Sequence, residues 1–367
     1  MTLFVVVASL LLLDSSTNAM VGVTSFARKR TSADIKPLVV LPPQANGLTE
    51  AAAQVLLSSY ECQTIEFNGV SVATTYAKFV ADTDRVAATA VAASASGSVA
   101  TSTLLSSFSS LFDSNKKRNQ KKLPPYVLLH GFDSSALEYR RLAPLLAETR
   151  DVYVPDILGW GFSSHEGVQS FTPEAKMSHL KSFIQTVVGQ PCVIVGASLG
   201  GALAITLAVE SPELVDKVVL IDAQGFIDGE GPKDIPDTVA KFGVNVLKSV
   251  PLRMFANLIA YKDKSFATWD AMRCGRLHCY TDSWERASVS FLKSGGFVVS
   301  DKVPLVKQQS LVLWGRNDEI LEPSTADKFR EQLPNGRVQW IENCGHVPHL
   351  EKAQEAAIEI KSFLGDK

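Results

Sequence analysis

Between two apolar runs the chain reads Gly196-Ala197-Ser198-Leu199-Gly200. Residues 191–195 before this stretch are mostly apolar, and residues 201–208 after it are rich in helix formers. The order predicts a buried strand, a tight turn with Ser198 at its tip, and a helix. Glycine at both ends suits such a turn, because a Cβ there would collide with the neighbouring strand or helix. The pattern is typical of a nucleophile elbow, in which a strained turn lifts one hydroxyl clear of a sheet.

Strand and helix signals alternate on both sides of this turn. An alternating segment at residues 64–73, centred on an Asn-Gly pair, predicts a hairpin. Buried-strand patterns follow at residues 126–129, 151–154, 191–195, 217–221, 310–314 and 337–341. Helix patterns lie at residues 138–147, 173–187, 201–208, 324–332 and 354–364. This alternation predicts an α/β fold with a doubly wound, mostly parallel sheet.

Two segments interrupt the alternation inside a predicted domain of residues 60–366. Residues 81–122 are rich in Ala, Ser, Thr and Val and end in a basic run, which predicts a low-complexity insertion. Residues 228–300 carry apolar residues at helical spacing and no strong strand pattern, which predicts a helical lid between the sixth and seventh strands. The apolar lid residues either line a pocket for an apolar ligand or pack the lid onto the core.

The N-terminus has the composition of a targeting sequence. Residues 3–13 are apolar but too few to span a bilayer as a helix, and residues 17–19 suit a signal-peptidase site. Residues 20–36 are basic and rich in Ser and Thr, as in a transit peptide. We expect a signal peptide at residues 1–19, a transit or linker segment at residues 20–59, and no transmembrane span in the mature chain. A plastid address follows, with secretion or an endomembrane lumen as the alternative.

The composition excludes several partners. The chain has 367 residues, of which 46% are hydrophobic and 20% charged, and its net charge is −2. Nucleic-acid binding needs clustered cations, and the single basic run at residues 116–122 suits a solvated loop better, so we predict no nucleic-acid partner. Five cysteines make no disulfide framework. Cys274, His278 and Cys279 lack the second ligand cluster of a zinc site, so we predict no metal and no cofactor.

A nucleophilic serine needs a base, and the base needs an orienting group. His346 follows the last strand within Gly345-His346-Val347-Pro348, where the glycine and proline fix a turn that can present the imidazole. We predict His346 as the base and His349 as a packing or capping residue. Asp318, after the preceding strand, is preferred to Glu319 as the acid. Asp222, at the end of the sixth strand, is the alternative.

The negative oxygen formed during acyl transfer needs backbone N–H donors. One donor is expected from Leu199, directly after the nucleophile at a helix N-terminus. The other is expected from Phe132, in the loop after the first buried strand, where Gly131 lets the backbone approach a substrate. His130 is predicted to stabilise this loop rather than to act as a second base.

Five motifs in order now resemble the α/β-hydrolase superfamily, and in particular its lid-bearing branch. They are residues 129–132, 155–163, 196–201, 314–318 and 345–351. The resemblance implies an eight-stranded sheet, the triad Ser198, Asp318 and His346, and an oxyanion hole formed by Phe132 and Leu199. The segment from Asp222 to Gly296 also resembles uncharacterised plant and algal plastid members.

Within this branch the residue at the elbow divides the chemistries. Aspartate serves displacement at carbon in epoxide hydrolases and dehalogenases, whereas serine implies acyl transfer through an acyl-enzyme. We therefore predict a carboxylesterase- or lipase-like enzyme that cleaves a small apolar or amphipathic ester or thioester. Other activities share these residues: a ligand receptor on a hydrolase fold, a cofactor-free haloperoxidase, a carbon–carbon bond hydrolase, or an acyltransferase.

Overall fold

The protein is built on one sheet of eight strands, in the order β1-β2-β4-β3-β5-β6-β7-β8. A computed structural model describes residues 38–81, 123–228 and 235–366. Strand β2 is antiparallel to both of its neighbours, and the remaining pairs are parallel. The predicted α/β sheet is therefore confirmed. The strands are β1 (Tyr60–Phe67), β2 (Val70–Phe79), β3 (Tyr126–Leu129), β4 (Val152–Pro155), β5 (Cys192–Ala197), β6 (Val215–Ile221), β7 (Ser310–Gly315) and β8 (Gly336–Ile341).

Helices cover both faces of the sheet. Every residue of β3, β5 and β7 is buried, as expected for parallel strands with helices on both sides. Successive side chains alternate between faces: Val193 and Val195 join one core cluster, and Ile194 joins the other. The helices are α1 (Ala51–Ser58), α2 (Leu142–Leu146), α3 (Pro173–Phe183), α4 (Leu199–Glu210), α5 (Asp237–Leu247), α6 (Val250–Ala260), α7 (Trp269–Arg276), α8 (Trp284–Ser294), α9 (Ser324–Gln332), α10 (Pro348–Glu351) and α11 (Ala353–Leu364).

Local sequence chemistry explains most of these boundaries. The β1–β2 hairpin turns at Asn68 and Gly69, both with positive φ (47° and 76°), as a two-residue hairpin loop requires. The helix predicted at residues 138–147 is instead a 3₁₀ turn, Ala136–Tyr139, followed by the short α2. Pro144 accounts for the difference, because its ring clashes with the carbonyl four residues earlier in a continuous helix.

The folded domain begins earlier than the predicted boundary at residue 60. Helix α1 buries Ala53 and Leu56 in the same cluster as α2 and α11. Glu50, just before α1, pairs with Arg140 and Arg141. The described residues before 60 are thus part of the packed domain from about Leu48 onward, because this helix presents an apolar face. The predicted signal peptide, residues 20–37 of the predicted transit segment and nearly all of the 81–122 insertion lie outside the described residues.

The segment between β6 and β7 is helical, as predicted. Helices α5, α6, α7 and α8 lie within it, and we call residues 235–300, which contain these four helices, the inserted segment. In the part of the chain that the structure describes, no helix is long and apolar enough to cross a membrane.

Candidate active site

The turn at Ser198 has the geometry of a strained elbow. Ser198 links β5 to α4 with φ 49° and ψ −119°, a region that non-glycine residues rarely occupy. Its N–H donates to the Ile221 carbonyl at 3.0 Å, which holds the turn against β6. A Cβ at Gly196 would overlap the Gly200 carbonyl, and a Cβ at Gly200 would overlap the Leu129 carbonyl. The two glycines are therefore required by close backbone packing.

Asp318 and His346 lie together at the edge of the sheet where β5, β7 and β8 end. His346 Nδ1 is 2.8 Å from Asp318 Oδ2, and both side chains are buried. The other oxygen of Asp318 accepts from the N–H groups of Ile320 and Leu321. Since a carboxylate only accepts, Nδ1 carries the shared hydrogen and Nε2 keeps its lone pair. Ser198, Asp318 and His346 thus follow the carboxyl ends of strands within one sheet, where ligands bind in such folds.

The two partners shift each other's pKa. Burial lowers the pKa of His346, but the adjacent Asp318 carboxylate outweighs it, and the pKa of His346 is raised. Burial raises the pKa of Asp318, but His346 and the two backbone donors outweigh it, and its pKa is lowered. The pair therefore favours an ionised carboxylate beside an imidazole of increased basicity, as a general base requires.

The alternative acid, Asp222, has a different environment. It lies within 4.8 Å of Asp318 and His346, and its Oδ1 accepts from the Gly315 N–H at 2.9 Å. Burial, and then the Asp318 charge, raise the pKa of Asp222 well above its usual range. The raised pKa favours the neutral form of Asp222, and Asp318 is the carboxylate that contacts the His346 ring.

The loop after β3 passes directly beside the serine. A Cβ at Gly131 would lie 3.3 Å from the Ser198 Cβ. The Phe132 ring packs on Trp160 with ring centroids 5.3 Å apart. Leu199 is the first residue of α4, where backbone N–H groups lack partners within the helix. These positions suit an oxyanion hole, and the assignment of Phe132 and Leu199 as its donors stays a prediction.

Two histidines near the site have supporting positions. His130 Nε2 accepts from the Ile157 N–H at 3.0 Å, which ties the β3 loop to the β4 loop as predicted for a loop-stabilising residue. His349 is fully buried and its Nε2 is 3.1 Å from Glu138 Oε1. The second oxygen of Glu138 accepts from the Gly131 N–H at 3.0 Å. Although burial raises the pKa of Glu138, His349 lowers it to about 2.

Sequence reasoning missed Glu138 and Asp133 as parts of the site. Glu138 has the pattern of an ordinary acidic residue near a helix start, which is usually solvated. Asp133 follows the predicted oxyanion donor, and its carboxylate is buried among groups from the inserted segment. Asp133, His278 and Cys279 are close enough for a metal site. The Arg253 guanidinium, however, donates to both Asp133 and Cys279, and such a cation does not suit a metal site.

The comparisons with known proteins agree with this architecture. A profile of the alpha/beta hydrolase family matches residues 126–359. The chain is 37% identical to the alpha/beta hydrolase domain-containing protein VTE7 of Arabidopsis thaliana over 246 residues, 66% of this chain and 74% of that protein. It is 27% identical to Lipase 1 of Psychrobacter immobilis over 249 residues, 65% of this chain and 76% of that protein.

A solved structure of a serine hydrolase involved in carbazole degradation superposes with a TM-score of 0.61. That match has 21% identity and covers 84% of this chain and 99% of that one, so it shows the fold alone. With the family profile covering most of the chain, the chain belongs to the alpha/beta hydrolase family. The family match and the similarity to a lipase support an enzyme with hydrolytic activity.

Proposed function

We propose that this protein is a serine hydrolase that cleaves a carboxylic ester, or a thioester or lipid ester, through an acyl-enzyme. The pair of Asp318 and His346, at the sheet edge where the elbow presents Ser198, is the observation that carries this proposal. Serine at the elbow favours acyl transfer over direct displacement at carbon. The similarity to a lipase supports lipid esters as the substrate class.

The proposed reaction has two halves. In the first, His346 Nε2 takes the Ser198 hydroxyl proton while Oγ attacks the ester carbonyl carbon. The Phe132 and Leu199 amides donate to the resulting oxyanion. The intermediate then collapses, and His346 returns the proton to the departing alcohol. In the second half, His346 takes a proton from water, the hydroxide attacks the acyl carbon, and Ser198 recovers its proton as the acid leaves.

A fluorophosphonate probe tests the nucleophile. We expect stoichiometric labelling of Ser198 in the folded protein and its loss in Ser198→Ala. Ser58→Ala is the matched control, because Ser58 is an exposed serine at the end of α1. No labelling of folded wild-type protein, or equal labelling of Ser198→Ala, would contradict the proposal.

A series of p-nitrophenyl esters tests the substrate class. Helices α5 and α6 expose Phe242, Phe255 and Leu258, which supports an apolar acyl group as the ligand. If each added methylene is buried, kcat/KM rises up to about fourfold per methylene. A flat series would exclude an acyl-binding pocket. A single slow turnover on every ester would favour the receptor hypothesis instead.

We also propose a plastid address, on the apolar, small-residue and then basic composition of residues 1–36. A fusion of residues 1–59 to a fluorescent protein, expressed in an alga with secondary plastids, is expected to accumulate in the plastid. Retention of the fusion in the endomembrane system or its secretion would exclude this address.

A further inference from the structure

The loop that carries Phe132 is fastened to the inserted segment at one buried carboxylate. Asp133 is 4% exposed, and its Oδ1 accepts from His278 Nε2 at 2.9 Å and from the Trp284 indole N–H at 2.7 Å. Its Oδ2 accepts from the Arg253 guanidinium. The three donors lie in α6, in the Leu277–Tyr280 turn and in α8, so distant parts of the inserted segment converge on one residue.

Arg253 also fixes the backbone at this point. Its Nη1 donates to the Asp133 carbonyl at 3.1 Å, while its Nε donates to the Leu247 carbonyl at the end of α5. Asp133 has a φ of 51°, in the left-handed region that a non-glycine residue occupies only when its surroundings hold it there. The side chain and the carbonyl of Asp133 are thus both held by the inserted segment.

Phe132 therefore lies between two anchors. On one side, Glu138 accepts from the Gly131 N–H and is itself paired with His349. On the other side, the inserted segment holds Asp133. Two fixed neighbours restrict the peptide planes around Phe132, and an oxyanion donor is effective only if it is aimed before the reaction begins.

We propose that Asp133 is a positioning residue that aims the Phe132 amide only while the inserted segment is docked through Arg253, His278 and Trp284. The inserted segment then acts on the chemical step through the loop that carries Phe132. This inference rests on the proposed acyl-transfer function. It adds a coupling between the inserted segment and the loop proposed to stabilise the oxyanion.

Asp133→Asn tests the coupling against a matched control. Asp366→Asn removes a comparably buried carboxylate that pairs with Arg150, near the start of β3 and away from the Ser198 edge. We expect Asp133→Asn to lower kcat about 100-fold, the size of one lost oxyanion donor, with KM nearly unchanged. Per folded molecule, Asp366→Asn should keep the wild-type kcat. Equal kcat in the two variants, corrected for the folded fraction, would overturn the proposal.

Hydrogen exchange separates this proposal from the proposed function, since it needs no substrate. In Asp133→Asn we expect faster amide exchange in the peptide that contains Phe132 and, together with it, in α6 and α8. Exchange unchanged in the Phe132 loop would overturn the coupling even if activity fell. If wild-type protein neither hydrolyses esters nor labels at Ser198, the hydrolase function fails, and exchange still decides whether Asp133 couples the two parts.

Trp284→Phe provides a milder second variant in case Asp133→Asn does not fold. It removes one donor to Asp133 and keeps an aromatic ring, and we expect kcat to fall about 10-fold with KM unchanged. Trp269→Phe is its control, because Trp269 is 59% exposed in the same segment. A loss of kcat that is equal in both tryptophan variants would overturn the positioning role.

Discussion

The Ser198 edge of the sheet and the inserted segment differ in how tightly their backbones pack. At the edge, a Cβ added to Gly196, Gly200 or Gly315 would overlap a backbone carbonyl oxygen. In the inserted segment, a Cβ added to Gly243 or Gly275 would meet no atom within 4 Å, and α6 has no buried residue. The edge therefore has one permitted geometry, which suits bond-making chemistry. These positions of the segment tolerate an added methyl group, whereas α7 and α8 of the same segment bury side chains in the core.

The largest effect is expected at the edge itself, where two carboxyl groups lie side by side. Asp318→Asn should lower kcat about 10⁴-fold, because its amide oxygen stays with the Ile320 and Leu321 N–H groups and its NH2 then donates to Nδ1. This holds the ring in the wrong tautomer, and a neutral amide does not stabilise the imidazolium. Asp222→Asn should cost less than about 10-fold, because the raised pKa of Asp222 favours its neutral form, which an amide resembles in shape and in the oxygen it offers to the Gly315 N–H. Steady-state kinetics on one ester measures both.

The same pair of variants has a pH signature. The raised pKa of His346 moves the rise of kcat/KM to a higher pH than an unperturbed histidine would give, and Asp318→Asn should shift that rise to lower pH. Equal loss of turnover in both variants, with no shift of the profile, would contradict the assignment of Asp318.

The second effect is on folding at the elbow. Gly200→Ala should destabilise the protein by about 3 kcal/mol or more, because the added Cβ would overlap the Leu129 carbonyl and neither backbone can move freely. Chemical denaturation measures the free energy of unfolding. A change of less than about 1 kcal/mol would mean that the elbow packs less tightly than the structure shows.

The same contrast explains what the sequence could predict. Buried parallel strands are continuous apolar runs, so the sequence predicts the order of β3, β5 and β7 and nearly their bounds. Ser198, Asp318 and His346 could be proposed as site residues from the sequence, because each follows a strand that ends at the same edge. Asp133 could not be proposed, because its partners lie between 120 and 151 residues away and no local pattern joins them. Glu138 was missed for the same reason, since His349 is 211 residues distant.

A third effect is expected where the two regions meet, at His278. Burial lowers the pKa of His278, but Cys279 and Asp133 raise it to about 9, above the unfolded value. Its stabilising contribution is therefore complete below about pH 6.5 and is lost as pH rises through about 9, up to about 3 kcal/mol in all. Urea unfolding across this range should show the loss in wild type and not in His278→Gln. Parallel pH profiles in the two proteins would contradict it.

The smallest effect has the opposite sign and lies in the inserted segment. Gly243 is within α5 and an added Cβ meets open space, so Gly243→Ala should stabilise the protein by about 0.5–1 kcal/mol by restricting the unfolded chain. Ester hydrolysis should stay at the wild-type rate, because α5 holds no predicted catalytic group. Thermal and chemical unfolding measure this increase in the free energy of unfolding, with Gly200→Ala measured in parallel. If Gly243→Ala destabilised the protein, the added methyl group would meet neighbouring atoms in α5 as it does at Gly200 in α4. The contrast in packing between the inserted segment and the elbow would then be wrong at this position.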